Sequence, residues 1–557
     1  MEFRPTRREL VGAAAAMSLL GPGRALALTH ADTPELFALP LGGVSGASPE
    51  VSVARFVLAG VEWSGPEGAR IELRARTPDG RWSRWAGAST LGHDADGPRR
   101  TSSLFGEPVW FGVADAFQVR SSEPIDGVVV HFVGTRGVAG VTRASAVAAS
   151  AYPLAQPILD AGPGQPPIIA RSVWAGNAPA WEPSYGDVRL GFVHHTDNPN
   201  GYAASEVPSM LFAMYQYHRY VRGWGDIAYN FVIDLFGRIW EARTGGVDQA
   251  VVGTQAGGYN LESFGVSVLG TFSYVVPSAA AINALQHLLA WKLSLHGVPT
   301  LGEVEVEVNF FDAFYTPYPG GTHISLPRVA GHRQGCTTDC PGDAFFARLP
   351  SIRPQVAKLA RRPAKVTLVA HGVRSTPASY LSLASTRALA STSIELSGRL
   401  SLLDGTALTG APVEVQQVYH GHTQTLARAR SDADGRWSAT VTRQHNALVR
   451  ALHRPAPATA SPLVSIEVAP VIEMKLAPEF PPVLTGTVTP GRQKIEIETY
   501  RVSGGRRKLV GKRTVRVERG RFTVRPKLGL GSYELVASTP AGEGNAAGAS
   551  APVAVNV

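Results

Sequence analysis

The chain has 557 residues, of which 44% are hydrophobic and 17% charged, a composition typical of globular protein and a length sufficient for about three or four domains. Its formal net charge of +9 favours anionic partners, without choosing among nucleic acid, membrane surfaces and acidic wall polymers. Only 2 cysteines are present, which excludes a framework of several disulfides.

The first residues have the pattern of a bacterial export signal, which we place at 1–27. Arg7 and Arg8 precede an apolar run at 10–20, and an A-x-A cleavage site follows at 25–27. The paired arginines indicate the twin-arginine route. An N-terminal membrane anchor is the alternative, but the apolar run is too short to span a bilayer. No later stretch has a transmembrane pattern, so we expect the mature chain to be secreted or held in the cell wall.

Short segments of alternating apolar and polar residues predict a β-sandwich over residues 35–150. Asp79-Gly80 is a hairpin signal between two of these segments. The Pro- and Gly-rich residues 151–167 then form a linker. Three tryptophans of the β-sandwich region either stack on sugars or, as is commoner, pack in its core: Trp82, Trp85 and Trp110.

Residues 168–362 mix strand and helix patterns and predict an α/β domain. Three segments rich in β-branched and aromatic residues indicate strands, namely LGFVHH, YNFVIDLFGRIWEAR and SFGVSVLGTF. One helix is expected after Ser205, where four residues share a face: Leu211, Met214, Tyr215 and His218. A second helix should begin at its N-cap, Ser278, and end at Gly297.

Two further β domains are predicted at the C-terminus, because residues 365–472 and 475–557 return to a strand pattern, and we expect both to be Ig-like. Residues 501–527 hold eleven Lys or Arg and one Glu, and predict a hairpin about Gly520 with one apolar and one basic face. The basic face either attaches the chain to anionic, phosphate-rich cell-wall polymers or is only a solvated surface. Nucleic acid is not expected as a partner of an exported chain.

The segment GHRQGCTTDCPGD, residues 331–343, contains one histidine and both cysteines of the chain. Zinc binds imidazole nitrogen and thiolate sulfur, and a catalytic zinc site has three protein ligands and a water. His332 and Cys340 are close enough along the chain for one loop to bring both to one ion. A third ligand must come from elsewhere, and the His pair at 194–195 ends a predicted strand, where sites in α/β domains commonly lie.

Six segments, in this order, resemble the zinc amidase domain of the peptidoglycan recognition protein family, which includes the phage T7 lysozyme-type amidase. They are IIARSVWAG, FVHHTDN, GWGDIAYNFVIDLFGRIWEAR, VVGTQAGGYN, SFGVSVLGTF and GHRQGCTTDCPGD, and together they cover about a third of the chain. The resemblance implies cleavage of the amide between the lactyl group of N-acetylmuramic acid and the L-alanine of the stem peptide.

The resemblance also implies a fold and a set of site residues. The fold is multidomain, with a central α/β amidase domain (a mixed sheet with flanking helices) between the N-terminal β-sandwich and C-terminal Ig-like β-sandwich domains. The implied cofactor is Zn2+, held by His194, His332 and Cys340. Tyr229 matches the catalytic tyrosine, with a core aromatic role as the alternative. Thr338 stands where the phage amidase has a lysine and many recognition proteins have a threonine.

These residue types suit amide hydrolysis. Two neutral imidazoles and one thiolate leave zinc with one net positive charge, and a water in the fourth position then has a pKa lowered toward about 7. With zinc bound, the site would supply a hydroxide for attack on the amide carbonyl, and Tyr229 or Thr338 would donate to the oxygen that gains negative charge. We therefore predict an exported, zinc-dependent N-acetylmuramoyl-L-alanine amidase acting on peptidoglycan. The rivals are a recognition protein that binds muropeptides without cutting them and a wall-anchored structural protein with a vestigial amidase domain.

Five further positions of the resemblance carry expectations of their own. Ser267 stands where some amidases of the wider superfamily have a general-base glutamate, so that base is absent here. Gln255 stands where many relatives have His, and it and Asn260 are expected to contact the substrate. Asp226 is interpreted as a turn or cap residue. His195 either contacts the substrate or, as the simpler alternative, packs or hydrogen-bonds beside the site.

Two features near the site leave alternatives open. A disulfide between Cys336 and Cys340 would remove the proposed thiolate ligand, and the outside of a bacterium can be oxidising. Residues 299–328 precede His332 and are more numerous than the phage enzyme needs. They either wall one side of the substrate groove or form a loop with no role in binding.

Overall fold

The computed structural model describes residues 35–557 except for position 67, 89–102, 136–163, 361–362, 372, 376–384 and the single positions 421, 456, 478 and 543. The predicted export signal at 1–27 and most of the predicted linker at 151–167 lie outside the described residues. Among the helices of the described part, none has both the length and the apolar character needed to cross a membrane.

The N-terminal domain is a β domain whose described strands hydrogen-bond into one sheet rather than two separate ones. Leu58 pairs with Trp110 on one side and with Val133 on the other. Both partners belong to one long strand, which runs along one edge of the strand that holds Leu58 and then along its other edge. The predicted turn at Asp79-Gly80 is present, and the Gly80 N–H donates to Thr77 O at 2.8 Å. The strands are β1 (Leu36–Ala47), β2 (Val51–Ser64), β3 (Ile71–Arg76), β4 (Ala86–Gly87), β5 (Leu104–Phe105) and β6 (Val109–Gly134).

The tryptophans of this domain have two different environments. Trp110 is buried in an apolar cluster shared with the central domain, as the packing alternative predicts. Trp82 and Trp85 are half-buried, and the Arg74 guanidinium carbon lies 4.7 Å from the centre of each ring. Their faces are therefore engaged by a cation within the domain.

The central domain combines a mixed sheet with helices, as predicted. The sheet order is β14-β8-β11-β9-β10-β7, in which β9 and β10 are antiparallel and the other pairs are parallel. The strands are β7 (Ile168–Ile169), β8 (Leu190–His195), β9 (Phe231–Ile233), β10 (Ile239–Glu241), β11 (Ser263–Val268), β12 (Glu303–Glu307), β13 (His323–Pro327) and β14 (Val329–Gly331). The helices are α1 (Ser172–Ala175), α2 (Val207–Gln216), α3 (Ala279–Leu295), α4 (Asp343–Phe346) and α5 (Leu349–Ala360), with a π-helical turn at Tyr217–Val221 and 3-10 turns at Asn260–Glu262 and His332–Gln334.

Helix α3 begins and ends where the sequence predicts. The Ser278 hydroxyl accepts a hydrogen bond from the Ala281 N–H at 3.0 Å, which satisfies one of the free donors of the first turn. Gly297 has a φ of 63°, a left-handed conformation that terminates the helix without a Cβ clash. The helix packs on the sheet through an apolar face that includes the fully buried Leu285, Leu289 and Leu293.

Helix α2 departs from the amphipathic pattern expected for a surface helix. All the residues from Val207 to Gln216 are buried, not only the predicted face. The cause is the N-terminal domain, because Leu58, Trp110 and Val133 join the same apolar cluster as this helix. The N-terminal domain therefore covers the side of the central domain that the helix would otherwise expose to water.

The C-terminal part is built of β-sheets, and the Ig-like assignment stays a prediction. The first group of strands is β15 (Ala364–Val366), β16 (Val369–Ala370), β17 (Val373–Ser375), β18 (Ser385–Leu389), β19 (Ser393–Leu402), β20 (Pro412–Tyr419), β21 (His422–Arg430), β22 (Arg436–Thr442), β23 (Ala447–His453), β24 (Thr459–Ala460) and β25 (Val464–Ala469). The second is β26 (Val471–Ala477), β27 (Val483–Thr489), β28 (Lys494–Ser503), β29 (Arg506–Arg516), β30 (Arg521–Val524), β31 (Ser532–Thr539), β32 (Gly548–Ala549) and β33 (Val553–Asn556). The second group thus starts at Val471, a little before the predicted start at 475.

The basic segment is not the hairpin about Gly520 that the sequence predicts. Strand β29 pairs with β28, whereas β30 pairs with β27 in another sheet. Only a tight turn joins them, in which the Glu518 and Arg521 backbones exchange hydrogen bonds of 2.9 Å. The alternating apolar residues on either side of the turn do share a core, but they approach it from two sheets: Val515, Val517, Phe522 and Val524.

A buried ion pair joins the first C-terminal β domain to the central domain. Arg450 Nη2 lies 2.7 Å from Asp248 Oδ2, and the two side chains are 2% and 0% exposed. Lys292 of α3 donates to the carbonyls of Val247 (2.7 Å) and Gln249 (2.6 Å) beside this pair. Burial lowers the pKa of Lys292 to about 7, an effect that the charge of Asp248 opposes.

Removing Arg450 should loosen this interface more than removing an exposed arginine. In Arg450→Met the Asp248 carboxylate stays buried without its guanidinium, and we expect a loss of about 3 kcal/mol in the free energy of unfolding. The matched control is Arg454→Met, whose half-exposed pair with Glu414 should be worth about 1 kcal/mol or less. Urea titration followed by tryptophan fluorescence measures both, and equal midpoints for the two variants would contradict the prediction.

Candidate functional site

Two histidines meet at one edge of the central sheet because their strands are parallel neighbours. In the register of β8 and β14, Val193 lies opposite Gly331. A histidine follows Val193 and another follows Gly331, so His194 and His332 lie side by side, with ring centroids 4.4 Å apart. Both side chains are fully buried.

Cys340 returns to these histidines at the end of a closed loop. The Arg333 N–H donates to Cys340 O at 3.0 Å, which joins the two ends of the loop. Cys340 Sγ lies 3.7 Å from His194 Nδ1 and accepts the His195 backbone N–H at 3.4 Å. Gly342 follows with a φ of 90°, and a Cβ there would collide with the Phe272 backbone, so glycine is needed for this close approach.

The three side chains form the donor set of a metal site. One ligand atom each from His194, His332 and Cys340 lies within 4.8 Å of the others, and all three residues are buried. Burial raises the pKa of the Cys340 thiol well above its usual value. A divalent cation at this point would reverse that shift, because the ion favours the thiolate.

Tyr229 lies next to this set. Its ring centroid is 5.4 Å from that of His194, and the side chain is fully buried. Burial raises the pKa of the phenol well above 10, so the hydroxyl keeps its proton at neutral pH and can act as a donor. Asp226 supports the turn before it, since its carboxylate accepts the Ile227 N–H at 2.8 Å and pairs with Arg171 at 2.9 Å.

Two of the predicted site residues hold the metal-site loops. Thr338 Oγ1 accepts the Cys340 N–H at 3.2 Å, which stabilises the turn carrying the thiol. His195 is buried, and its Nδ1 accepts the Phe272 N–H at 3.3 Å. Consecutive strand residues point to opposite faces, so His195 points away from the side occupied by His194. This arrangement is the packing alternative that the sequence left open.

Gln255 and Asn260 lie inside the domain rather than at a surface. Gln255 is fully buried and donates from Nε2 to Ser263 Oγ at 3.1 Å. Asn260 Oδ1 accepts the N–H groups of Gln255 and Ala256, each at 3.0 Å, and its Nδ2 donates to Asp312 Oδ2 at 3.2 Å. Both side chains therefore shape the loop at 255–260, and neither offers a solvent-exposed group to a substrate.

Cys336 lies in the same loop as Cys340, and the segment at 299–328 packs beside this loop. Cys336 and Cys340 are not joined by a disulfide in the structure, and Cys336 Sγ approaches Gly257 O at 3.7 Å. The segment contains the hairpin β12–β13, and its Tyr315 O accepts the Thr337 N–H at 2.6 Å, beside the metal-site loop. Tyr315 also packs against the apolar core of the N-terminal domain. The segment therefore lies against both the loop at 332–340 and the neighbouring domain.

Sequence reasoning did not single out two residues near the site. Glu107 belongs to the N-terminal domain, yet it is 3% exposed and its Oε2 lies 3.9 Å from His218 Nε2. His218 entered the sequence analysis only as a helix-face residue, and its ring centroid lies 6.3 Å from that of Tyr229. No local pattern marks Glu107, because its neighbours at the site come from another domain.

Two known families match segments of this chain, and one of these segments contains the buried histidines and Cys340. The model of the N-acetylmuramoyl-L-alanine amidase family matches residues 184–343, the segment that contains the histidines, Tyr229 and Cys340. The central domain belongs to this amidase family. The family described as Rv3811 N-terminal galactose-binding domain-like matches residues 25–152, which contain the N-terminal β domain.

Curated relatives agree with the family assignment. Human N-acetylmuramoyl-L-alanine amidase is 29% identical over 206 residues, covering 36% of this chain and 31% of that protein. Peptidoglycan-recognition protein LE of Drosophila melanogaster is 34% identical over 125 residues, covering 22% of this chain and 35% of that protein. Peptidoglycan-recognition protein 1 of Holotrichia diomphalia is 32% identical over 132 residues, covering 23% and 64%. The chain thus spans about a third of the length of the amidase and of protein LE.

Solved structures similar to this chain include Drosophila PGRP-LB, at 25% identity and a TM-score of 0.25, covering 33% of this chain and 92% of that one. They also include PGRP-LE of Drosophila in complex with tracheal cytotoxin, a monomeric diaminopimelic acid-type peptidoglycan, at 26% identity and a TM-score of 0.25, covering 33% and 92%.

Proposed function

We propose that this protein is a zinc-dependent N-acetylmuramoyl-L-alanine amidase that hydrolyses the lactyl–L-alanine amide of peptidoglycan outside the cytoplasmic membrane. The observation that carries the proposal is the buried group of His194, His332 and Cys340 within 4.8 Å, in a domain of the amidase family. Relatives named amidase and peptidoglycan-recognition protein support both the reaction and the substrate. The export pattern at 1–27 is consistent with work at the cell wall.

The donor set fits zinc. Two imidazoles and one sulfur are the borderline-soft ligands that Zn2+ prefers, and three protein ligands are the number found in catalytic zinc sites. When bound, zinc supplies Lewis-acid polarisation of the carbonyl and a water acidic enough to ionise near neutral pH. His195 and Thr338 would hold the thiol in place, through the hydrogen bonds from the His195 N–H to Sγ and from the Cys340 N–H to the Thr338 hydroxyl.

Tyr229 supplies the donor that amide hydrolysis requires. As the carbonyl becomes tetrahedral its oxygen gains negative charge, and a phenol that keeps its proton can donate to it. Burial keeps the Tyr229 phenol protonated and holds its ring beside His194. The chain therefore provides an electrostatic partner for the oxyanion as well as a set of ligands.

The alternative is a recognition protein that binds peptidoglycan without cutting it, since relatives of both kinds match this domain. The thiol at 340 favours the enzyme, because a thiolate is the ligand that lowers the charge of the site to one net positive and completes the donor set. A purely binding domain has no chemical need for three buried donors around one point.

Mass spectrometry of purified peptidoglycan tests the proposal. The full mature chain loaded with zinc should release stem peptides with a new alanine amino terminus, and EDTA should abolish the release. Zinc binding and muropeptide retention without release would support the recognition protein instead. Failure to bind zinc would overturn the metal site itself.

We further propose that the C-terminal basic surface attaches the enzyme to phosphate-rich wall polymers. Almost every residue of β29, from Arg506 to Arg516, is exposed, so its cationic side chains face solvent. Charges on an exposed surface attract polyanions over roughly a Debye length, about 8 Å at physiological salt. The alternative is that this basic face is only a solvated surface and binds no polymer.

Charge reversal on this strand should weaken binding to a poly(glycerol phosphate). We expect Lys508→Glu with Arg513→Glu to lower the apparent affinity about 10-fold at low salt and to flatten its salt dependence. The matched control reverses two exposed arginines of β21, Arg428 and Arg430, in the preceding domain. Equal losses in both double variants, measured by cosedimentation, would show that net charge rather than this surface is responsible.

A further inference from the structure

The N-terminal domain inserts one short segment between two elements of the amidase domain. Phe105 O accepts from Arg222 Nη1 at 3.3 Å, and Gly106 O accepts from the Tyr217 hydroxyl at 3.5 Å. Four residues after Gly106, the Trp110 backbone N–H donates to Asn198 Oδ1 at 2.6 Å, and Asn198 lies shortly after the strand that carries His194. The segment 105–110 is therefore held at both ends by the amidase domain.

Glu107 lies in the middle of this segment and is almost completely buried. Its Oε2 lies 3.9 Å from His218 Nε2. Burying a carboxylate costs several kcal/mol unless cationic or donor groups compensate. A side chain that served only to join two domains would be better replaced by an apolar one, as the surrounding cluster of Leu58, Trp110 and Val133 illustrates.

His218 links this carboxylate to the backbone before Tyr229. His218 Nδ1 accepts the Ala228 N–H at 3.3 Å, so the proton of the neutral ring is on Nε2, the nitrogen closest to Glu107. The His218 ring centroid lies 6.3 Å from the Tyr229 ring, which in turn lies 5.4 Å from His194. The residues Glu107, His218, Tyr229 and His194 thus form a continuous series from the N-terminal domain to the metal site.

We propose that Glu107 is a positioning residue of the amidase, which fixes the His218 ring and through it the Tyr229 phenol, so that the active centre is built from two domains. This inference rests on the proposed function. Metal-site residues of known enzymes depend in the same way on outer partners that orient them.

The kinetic test uses the full chain with zinc. Glu107→Gln keeps the shape and removes the charge, and we expect kcat to fall about 10- to 100-fold with KM and zinc content unchanged. Glu107→Asp should recover part of the loss. In a Tyr229→Phe background the same Gln substitution should have no further effect, because the two residues act as one unit. Equal losses with and without the Tyr229 hydroxyl would overturn the proposal.

A matched control and a readout without activity complete the test. Glu62→Gln removes a similar His–carboxylate pair, with His131 at 2.8 Å, from the same domain, and should leave kcat unchanged. In metal-free protein labelled with 15N-histidine, the ring nitrogens of His218 should shift in Glu107→Gln and stay in place in Glu62→Gln. An unshifted His218 would refute the contact. An inactive wild-type enzyme with a shifted His218 would instead refute the proposed function alone.

Discussion

Replacing Cys340 by serine is expected to abolish zinc binding and to reduce the release of stem peptides by more than about 100-fold. A hydroxyl does not ionise at neutral pH as a zinc-bound thiol does, so the donor set loses its charged member. Substitution of outer partners alone typically costs 10- to 100-fold, and a direct ligand should cost more. Metal analysis of the dialysed protein and mass spectrometry of digested peptidoglycan measure the two effects.

The control is the other cysteine. Cys336→Ser changes the same chemical group in the same loop, but Cys336 Sγ lies against Gly257 O and outside the donor set. Zinc content and the activity of the folded protein should stay within about 2-fold of wild type, because the change lies outside the three ligands and the cost of burying a hydroxyl in this apolar cluster falls on stability. If the two serine variants lost zinc equally, the assignment of Cys340 as ligand would be wrong.

Removing the Tyr229 hydroxyl should separate chemistry from metal binding. We expect Tyr229→Phe to lower kcat by roughly 100- to 1,000-fold, the cost of losing one oxyanion donor, while zinc content stays unchanged. Burial raises the pKa of the phenol well above 10, so the donor should not be lost by ionisation between pH 6 and about 9. A plot of kcat against pH should therefore have no alkaline limb due to Tyr229 in this range.

Another buried tyrosine of the same domain provides the comparison. The Tyr185 hydroxyl donates to Gly245 O at 3.2 Å, and Tyr185→Phe removes another buried phenol oxygen from a different part of the domain. This variant should lose only about 1 kcal/mol of stability and little activity. A similar fall in kcat for both variants would mean that Tyr229 acts through packing, as its alternative core role implies.

Local sequence was sufficient for several elements around the metal site, including the strand β8 that carries His194. The β-branched and aromatic content of LGFVHH and SFGVSVLGTF predicts β8 and β11, and a capping serine with a terminal glycine predicts α3. The histidine and cysteine types restrict the ion to a borderline-soft metal. The pleat of β8 and its register with β14 decide which histidine of the pair faces the metal site. They place His194, and not His195, beside His332.

Long-range pairing explains the expectations that failed or stayed open. The basic segment has the alternation of a hairpin on both sides of Gly520, but its two arms bind different strands, β28 and β27, so they belong to two sheets. Gln255 and Asn260 lie in a motif that is expected to meet substrate, yet the structure uses their amides to satisfy loop N–H groups and the Ser263 and Asp312 side chains. The spacing of residues along the sequence does not predict which hydrogen-bond partner a polar side chain has in the folded domain.

The sequence by itself determined the types and order of the donors, the strand that ends in His194, and the placing of an α/β region between β regions, because these follow from residue chemistry and short-range periodicity. The tertiary structure alone decided what covers the site. Helix α2 is buried on every side, and Glu107 reaches His218, because the N-terminal domain docks there through Trp110 and Asn198. Contacts between residues about 100 positions apart depend on how whole domains pack, and no local pattern records that packing.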